Sequence, residues 1–195
     1  MANIFAIHSV GNSIATFLRN TYPQKVATVD MPACGFELIS SGELAGTIDD
    51  ATRVTLFLYR VTVNEYSRQN RPAGMAPEQI APLGLDLHFM LTAWAGNALD
   101  EHATLGWAAR QLHQFSILDA SSLSPEAGWA SDEVIQIIPA ELTTEDMMRV
   151  WDALEPAYRL SVSYIARVVR LDPDVMDSSR PAVARRFTYG QEVAA

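Results

Sequence analysis

The apolar and polar positions of this chain change period several times, and each change predicts an element. In the run LGLDLHFMLTAW, residues Leu83, Leu85, Leu87, Phe89, Leu91 and Ala93 take every second position, with Gly84, Asp86 and His88 between them. A period of two predicts a strand with one buried face. Residues 53–66 (RVTLFLYRVTVNEY) and 158–172 (YRLSVSYIARVVRLD) read as two further long strands. Near the N-terminus the period is different. Ile4, Ile7, Val10, Ile14, Phe17 and Leu18 recur at three- and four-residue spacing, which predicts a helix ended by Tyr22-Pro23.

Shorter elements fill the gaps. Residues 25–29 and 36–40 are strand candidates, broken by Pro32, Gly35, Gly42 and Gly46. Residues 98–116 read as a helix with Leu99, His102, Leu105, Ala109 and Leu112 on one face. Gly106 inside it either costs about 1 kcal/mol against Ala or marks a close contact. Ser124-Pro125-Glu126 resembles a brief helical start, and residues 132–139 form a short strand. Thr143 ahead of Glu145-Asp146 is a helix cap, and Pro156 stops that helix.

Two segments carry no period. Residues 67–81, between two long strands, hold two prolines, a glycine, Arg68 and Arg71. A connection of this length is unusual in a compact domain and is often functional. The strands on either side are placed to pair as a hairpin. After Asp172 the core pattern dissolves. Residues 173–195 hold Arg180, Arg185 and Arg186, followed by Phe187-Thr188-Tyr189. The expected organisation is therefore a single α+β domain over residues 1–172, with a mainly antiparallel mixed sheet flanked by helices. An extended C-terminal arm over 173–195 would follow it. Arg68, Arg71, Arg180, Arg185, Arg186, Phe187 and Tyr189 are the candidate interface residues, the arm ones being suited to addition at another chain's sheet edge.

Composition narrows the function classes. The 195 residues carry a formal net charge of −9, which disfavours sequence-independent nucleic-acid binding. Charged residues make up 19%, below the usual quarter or so of soluble domains, so part of the apolar surface is a candidate for cover by other subunits. One cysteine, Cys34, rules out an internal disulfide and fits a reducing cytoplasm. The N-terminus has no charged region ahead of its apolar residues, and no apolar run reaches the roughly 18 residues of a membrane span. Synthesis and folding in the cytosol, with no direct membrane insertion, are expected.

Catalytic signatures are missing. The sequence holds no HExxH, GxSxG, GxxxxGK[ST] or GxGxxG pattern. Of four histidines only His88 has a carboxylate, Asp86, at same-face spacing on a strand. A metal or acid–base pair is conceivable there; a solvated strand face is the simpler reading. No catalytic residue, metal or cofactor is assigned.

The order LFLYRVTVN, PLGLDLHFMLTAW, RQLHQFSIL and SYIARVVRLD resembles the tail terminator, or cap, of phage-tail-like contractile injection systems. The matching pieces are Leu58-Tyr59-Arg60-Val61, Leu85-Asp86-Leu87-His88, Leu112-His113, and Ser163-Tyr164 with Arg167-Val168. The resemblance covers residues 1 to about 172. It implies a fold similar to phage tail terminators and a homo-hexameric ring on the last rings of inner tube and sheath, distal to the baseplate. Such a ring would end polymerisation and hold the extended sheath, with the sheath protein and inner tube protein as partners. It would be assembled in the cytoplasm and end outside the cell if the particle is released. Some relatives carry a further C-terminal domain, where this sequence has 23 residues after the shared part. Two alternatives remain at this stage. One is a phage-type head–tail connector or completion protein. The other is a small ligand-binding domain using Asp86 and His88.

Overall fold

The computed structural model describes residues 2–44, 51–64, 81–154 and 156–173. The candidate residues Arg68, Arg71, Arg180, Arg185, Arg186, Phe187 and Tyr189, and the arm itself, lie outside the described residues. The first helix, α1 (Ala6–Thr21), ends at Tyr22, whose backbone turns extended ahead of Pro23. A small hairpin follows, β1 (Lys25–Val26) and β2 (Val29–Asp30). The expected single strand over 25–29 is thus split. Ala27 turns the chain with φ at 55°.

Six strands form one sheet: β3 (Gly35–Ile39), β4 (Arg53–Val63), β5 (Leu83–Trp94), β6 (Ile117–Asp119), β7 (Val134–Pro139) and β8 (Ser161–Leu171). Their spatial order is β3-β4-β5-β8-β7-β6. β3 runs parallel to β4, and every other pairing is antiparallel. The three long runs of the sequence therefore occupy the middle of the sheet, and β4 and β5 pair as an antiparallel hairpin. Short α2 (Ser41–Leu44) follows β3, α3 (Ala98–Gln114) follows β5, and α4 (Thr144–Asp152) joins β7 to β8. A 3₁₀ turn at Pro125–Ala127 stands where the brief helical start was expected. The class is α+β.

The first face of the sheet carries the main core. Leu85, Leu87, Phe89, Leu91 and Ala93 of β5 meet Val54 and Leu56 of β4, and Tyr164, Ala166 and Val169 of β8. α1 lays Val10, Ile14 and Leu18 on this face, and α3 adds Leu105, Trp107, Ala108 and Leu112. Fully burying side chains of this size is worth about 1.5–3 kcal/mol each. Tyr22, Phe36 and Trp107 close one end, with centroids 4.9–5.7 Å apart. α1 sits so low over the sheet that a Cβ on Gly11 would lie 2.7 Å from Leu38 Cδ1 and 3.2 Å from Phe89 Cε1.

Three expectations need correction. The stripe proposed for α3 is displaced. Leu99 is 75% exposed and His102 is also exposed; the buried residues are Thr104, Leu105, Trp107, Ala108 and Leu112, so the helix turns its buried side to the sheet from Thr104 onward. Gly106 marks no close contact, since nothing lies within 4 Å of where its Cβ would be. Nor does β5 have a single buried face, for Met90, Thr92 and Trp94 are buried as well. Trp94 packs on the second face with Leu44 of α2 and Trp151 of α4, which fold back over it.

Candidate assembly interface

Among the described residues, helices cover the second face of the sheet at one end only. There Ile39, Phe57, Tyr59, Met90 and Trp94 lie under α2 and α4, with Trp94 and Trp151 rings 6.1 Å apart. Thr143 caps α4 by accepting a hydrogen bond from the Asp146 backbone N–H. Toward the other end no described helix lies over the strands. Ile117 is 60%, Val134 51% and Val168 36% exposed. An open groove there is lined by Asn64, Val134, Gln136, Arg167 and Val168.

Two bulges build this bare half. In β4, Tyr59 is an extra residue between the pairs Leu58–Phe89 and Arg60–His88. The insertion puts both Tyr59 and Arg60 on the second face. In β8, Arg167 and Val168 together oppose Asp86, between the pairs Leu85–Val169 and Leu87–Ala166. Val168 takes φ at 62°, a left-handed conformation that a β-branched residue rarely adopts. The Val168 backbone N–H, freed from the ladder, donates to Asp86 Oδ1 at 3.0 Å. Asn64 Nδ2 donates to both oxygens of the same carboxylate, at 3.1 and 3.0 Å.

Asp86 and His88 do share a face, as their spacing predicts, but they have separate tasks. Asp86 clamps the bulge. His88 Nε2 lies 3.1 Å from Thr62 Oγ1, and its ring stands edge-on to Tyr59 at 6.0 Å. Partial burial first, and Arg60 second, hold its imidazole below the usual pKa of 6.5, outweighing Asp86. The ring is therefore neutral at pH 7 and packs among hydroxyls and an aromatic ring. Among the described residues, no group of three or more His, Cys, Asp or Glu is placed to hold a metal ion. Burial pushes the Cys34 thiol up to about 12, so the reactive thiolate is suppressed. No described helix is long and apolar enough to cross a membrane.

Reading the sequence missed Arg60 and Arg167 as surface groups. Each is exposed, and neither forms a salt bridge among the described residues. By contrast Arg170 lies 3.5 Å from the buried Glu133, and Arg19 donates to the Phe36 carbonyl of edge strand β3 at 2.6 Å. Only the two bulges place Arg60 and Arg167 with Ile117, Val134 and Val168. A strict period of two does not reveal them.

The sequence profile of the Pvc16 N-terminal domain matches residues 9–185. The chain belongs to the Pvc16 N-terminal domain family. Among solved structures, this Pvc16-family chain is similar to the sheath/tube terminator, in its extended state, of the extracellular contractile injection system PVC. The TM-score is 0.56 at 18% identity, over 97% of this chain and 65% of that one. The chain thus spans just under two thirds of the terminator's length. It is also similar to the tube-terminating cap of the anti-feeding prophage, with a TM-score of 0.49 and 15% identity, over 92% of this chain and 60% of the cap. No curated protein sequence matches it. The likeness to the PVC terminator shows a shared fold, an α+β domain built on a mixed sheet.

Proposed function

We propose that this chain is the cap of a contractile injection system. In this reading it forms a homo-hexameric ring on the last rings of inner tube and sheath, at the end distal to the baseplate. The ring ends polymerisation and holds the sheath extended. It is a structural part and performs no catalysis. The observation that carries the reading is the Pvc16 family match, joined to the fold shared with the PVC sheath/tube terminator over 97% of this chain. The geometry is in keeping with it, because the two bulges set a mixed apolar and cationic surface on the sheet while Asp86 is occupied as a clamp. Assembly takes place in the cytosol, and the cap leaves the cell inside the particle if that is released.

A ring of this kind needs two different surfaces on each subunit, because head-to-tail contacts are heterologous. We assign residues 1–172 to the ring-forming domain. Residues 173–195 are assigned to an arm that docks on sheath or on a neighbouring cap through Arg180, Arg185, Arg186, Phe187 and Tyr189. Arg68 and Arg71 supply a further contact.

Cryo-electron microscopy of particles bearing a tagged copy of this chain tests the reading. The expected result is six-fold density on sheath and tube together, at one end. Particles of normal length with no tagged subunit at either end would overturn it. A chain truncated after Asp172 that still capped particles normally would remove the role given to the arm.

A further inference from the structure

We infer that the bare half of the second face is a docking surface for an acidic, aliphatic segment of a different protein. Three observations bear on it. The surface carries exposed aliphatic residues among its polar ones: Ile117, Val134 and Val168 are more than a third exposed, on strands that lie side by side. It also presents Arg60 and Arg167, neither of which forms a salt bridge among the described residues, on a chain of net charge −9. Arginine among apolar groups is the usual make-up of an interface core. Finally, the surface is held rigid at a strained point. The left-handed Val168 is pinned by Asp86 and Asn64, so little ordering is left to be done on binding.

The occupant follows from charge and direction. Guanidinium groups recognise carboxylates in bidentate fashion, and the exposed valines and isoleucine call for aliphatic side chains beside them. This chain has a matching stripe of its own, Glu145, Met148 and Asp152 on the outer side of α4, all exposed. α4 covers the other half of the same sheet face, so that stripe points the same way as the bare half. Neighbours in a six-fold ring differ by one sixth of a turn, and that rotation cannot bring two like-facing surfaces against each other. With that stripe ruled out, the segment is assigned to another protein. This step rests on the cap reading, under which the other protein is a sheath or tube subunit.

The test uses whole particles carrying the tagged full-length chain as R60K/R167K, which keeps both charges and adds amines. Carbodiimide joins an amine to a touching carboxylate with no spacer, and mass spectrometry reads the link. Expected is a link from position 60 or 167 to an Asp or Glu of a different protein. R60E/R167E, which alters exposed side chains only, is expected to lower the tagged subunit on particles by about tenfold or more. Links only within the chain or to a second copy, or none while the tagged subunit sits on the particles, overturn the inference and leave the cap reading standing. Loss of the wild-type tagged subunit on nuclease treatment points to phosphate as the occupant and also overturns it. A wild-type tagged subunit absent from particles overturns the cap reading and the inference together.

Discussion

The two faces of this sheet are built from the same six strands and end up with opposite characters. On the first, α1 and α3 close over Leu87, Phe89 and Leu91, and among the described residues the apolar positions left open lie at the paired ends of β4 and β5: Val61 and Val63 at 43% and 49% exposure and Leu83 at 47%. On the second, α2 and α4 close one end and leave the other as a polar and apolar mixture. The first face is governed by volume, since a missing group there leaves a cavity. The second is governed by a few directed interactions that fix where a surface points. This difference ranks the expected effects of mutation.

The largest effect belongs to the first face. Phe89 is 1% exposed at the centre of the sheet, and Phe89→Ala is expected to lower unfolding free energy by about 3–5 kcal/mol, measured by chemical denaturation. Trp151→Ala on the second face removes as large a group, but from a cluster of four buried residues among those described. It is expected to strip hydrogen-exchange protection from α4 while α1 and β5 keep theirs. Equal loss of protection across all three elements would erase the proposed division.

Next is the close approach of α1. Gly11→Val places a branched side chain where Leu38 and Phe89 already stand at 2.7 and 3.2 Å from a bare Cβ. A loss of about 2 kcal/mol is expected, read from the denaturation midpoint. A neutral result would mean that the helix can lift off the sheet, and that the first face is less tightly filled than its burial says.

On the bare half, Asp86→Ala removes the acceptor of the Val168 N–H and of both Asn64 contacts. About 2 kcal/mol is expected from losing hydrogen bonds to a charged group. Asp86→Asn keeps one oxygen able to accept the Val168 N–H, so its loss is expected to be smaller. If the two variants behaved alike, charge and not the bulge would be what Asp86 serves.

The same division explains what the sequence revealed and what it hid. β5 was legible in its bounds and on its first face, because Leu83, Leu85, Leu87, Phe89, Leu91 and Ala93 take every second position; the burial of Met90, Thr92 and Trp94 on the other face was not. The helix α1 was legible from the spacing of Val10, Ile14 and Leu18, and the Thr143 cap from Glu145-Asp146 after it; Ile4, read as part of the same stripe, instead precedes the helix and is 78% exposed. The clustering of Met90, Trp94 and Trp151 was not legible, since Trp94 and Trp151 come together only when α4 folds back over the sheet. Leu99 and His102 satisfy a helical period yet are exposed, because burial on this helix begins only at Thr104. The bare half was hidden for a third reason. An extra residue at Tyr59, and another at Arg167-Val168, shift the strand parity, so alternation points to the wrong partners beyond each bulge.

The smallest expected effect is electrostatic and tests whether the bare half carries cationic character. His88 sits there with a folded pKa below the usual 6.5, because partial burial and then Arg60 disfavour the imidazolium more than Asp86 favours it. For a base depressed on folding, the unfolded chain binds the proton more readily. The stability tied to His88 is therefore complete above about 6.5 and drains away as pH falls from there toward the folded value. Arg60→Gln removes the second cause and leaves the burial. An NMR titration of the His88 ring is expected to show its pKa rising toward 6.5 without reaching it, and the acid-side loss of stability shrinking in step. The sign separates two descriptions of the surface. A rise means that the Arg60 charge reaches across the strand pair and is there to be met by a partner's carboxylate. An unchanged value means that burial alone sets the ring, and that Arg60 spends its charge in solvent.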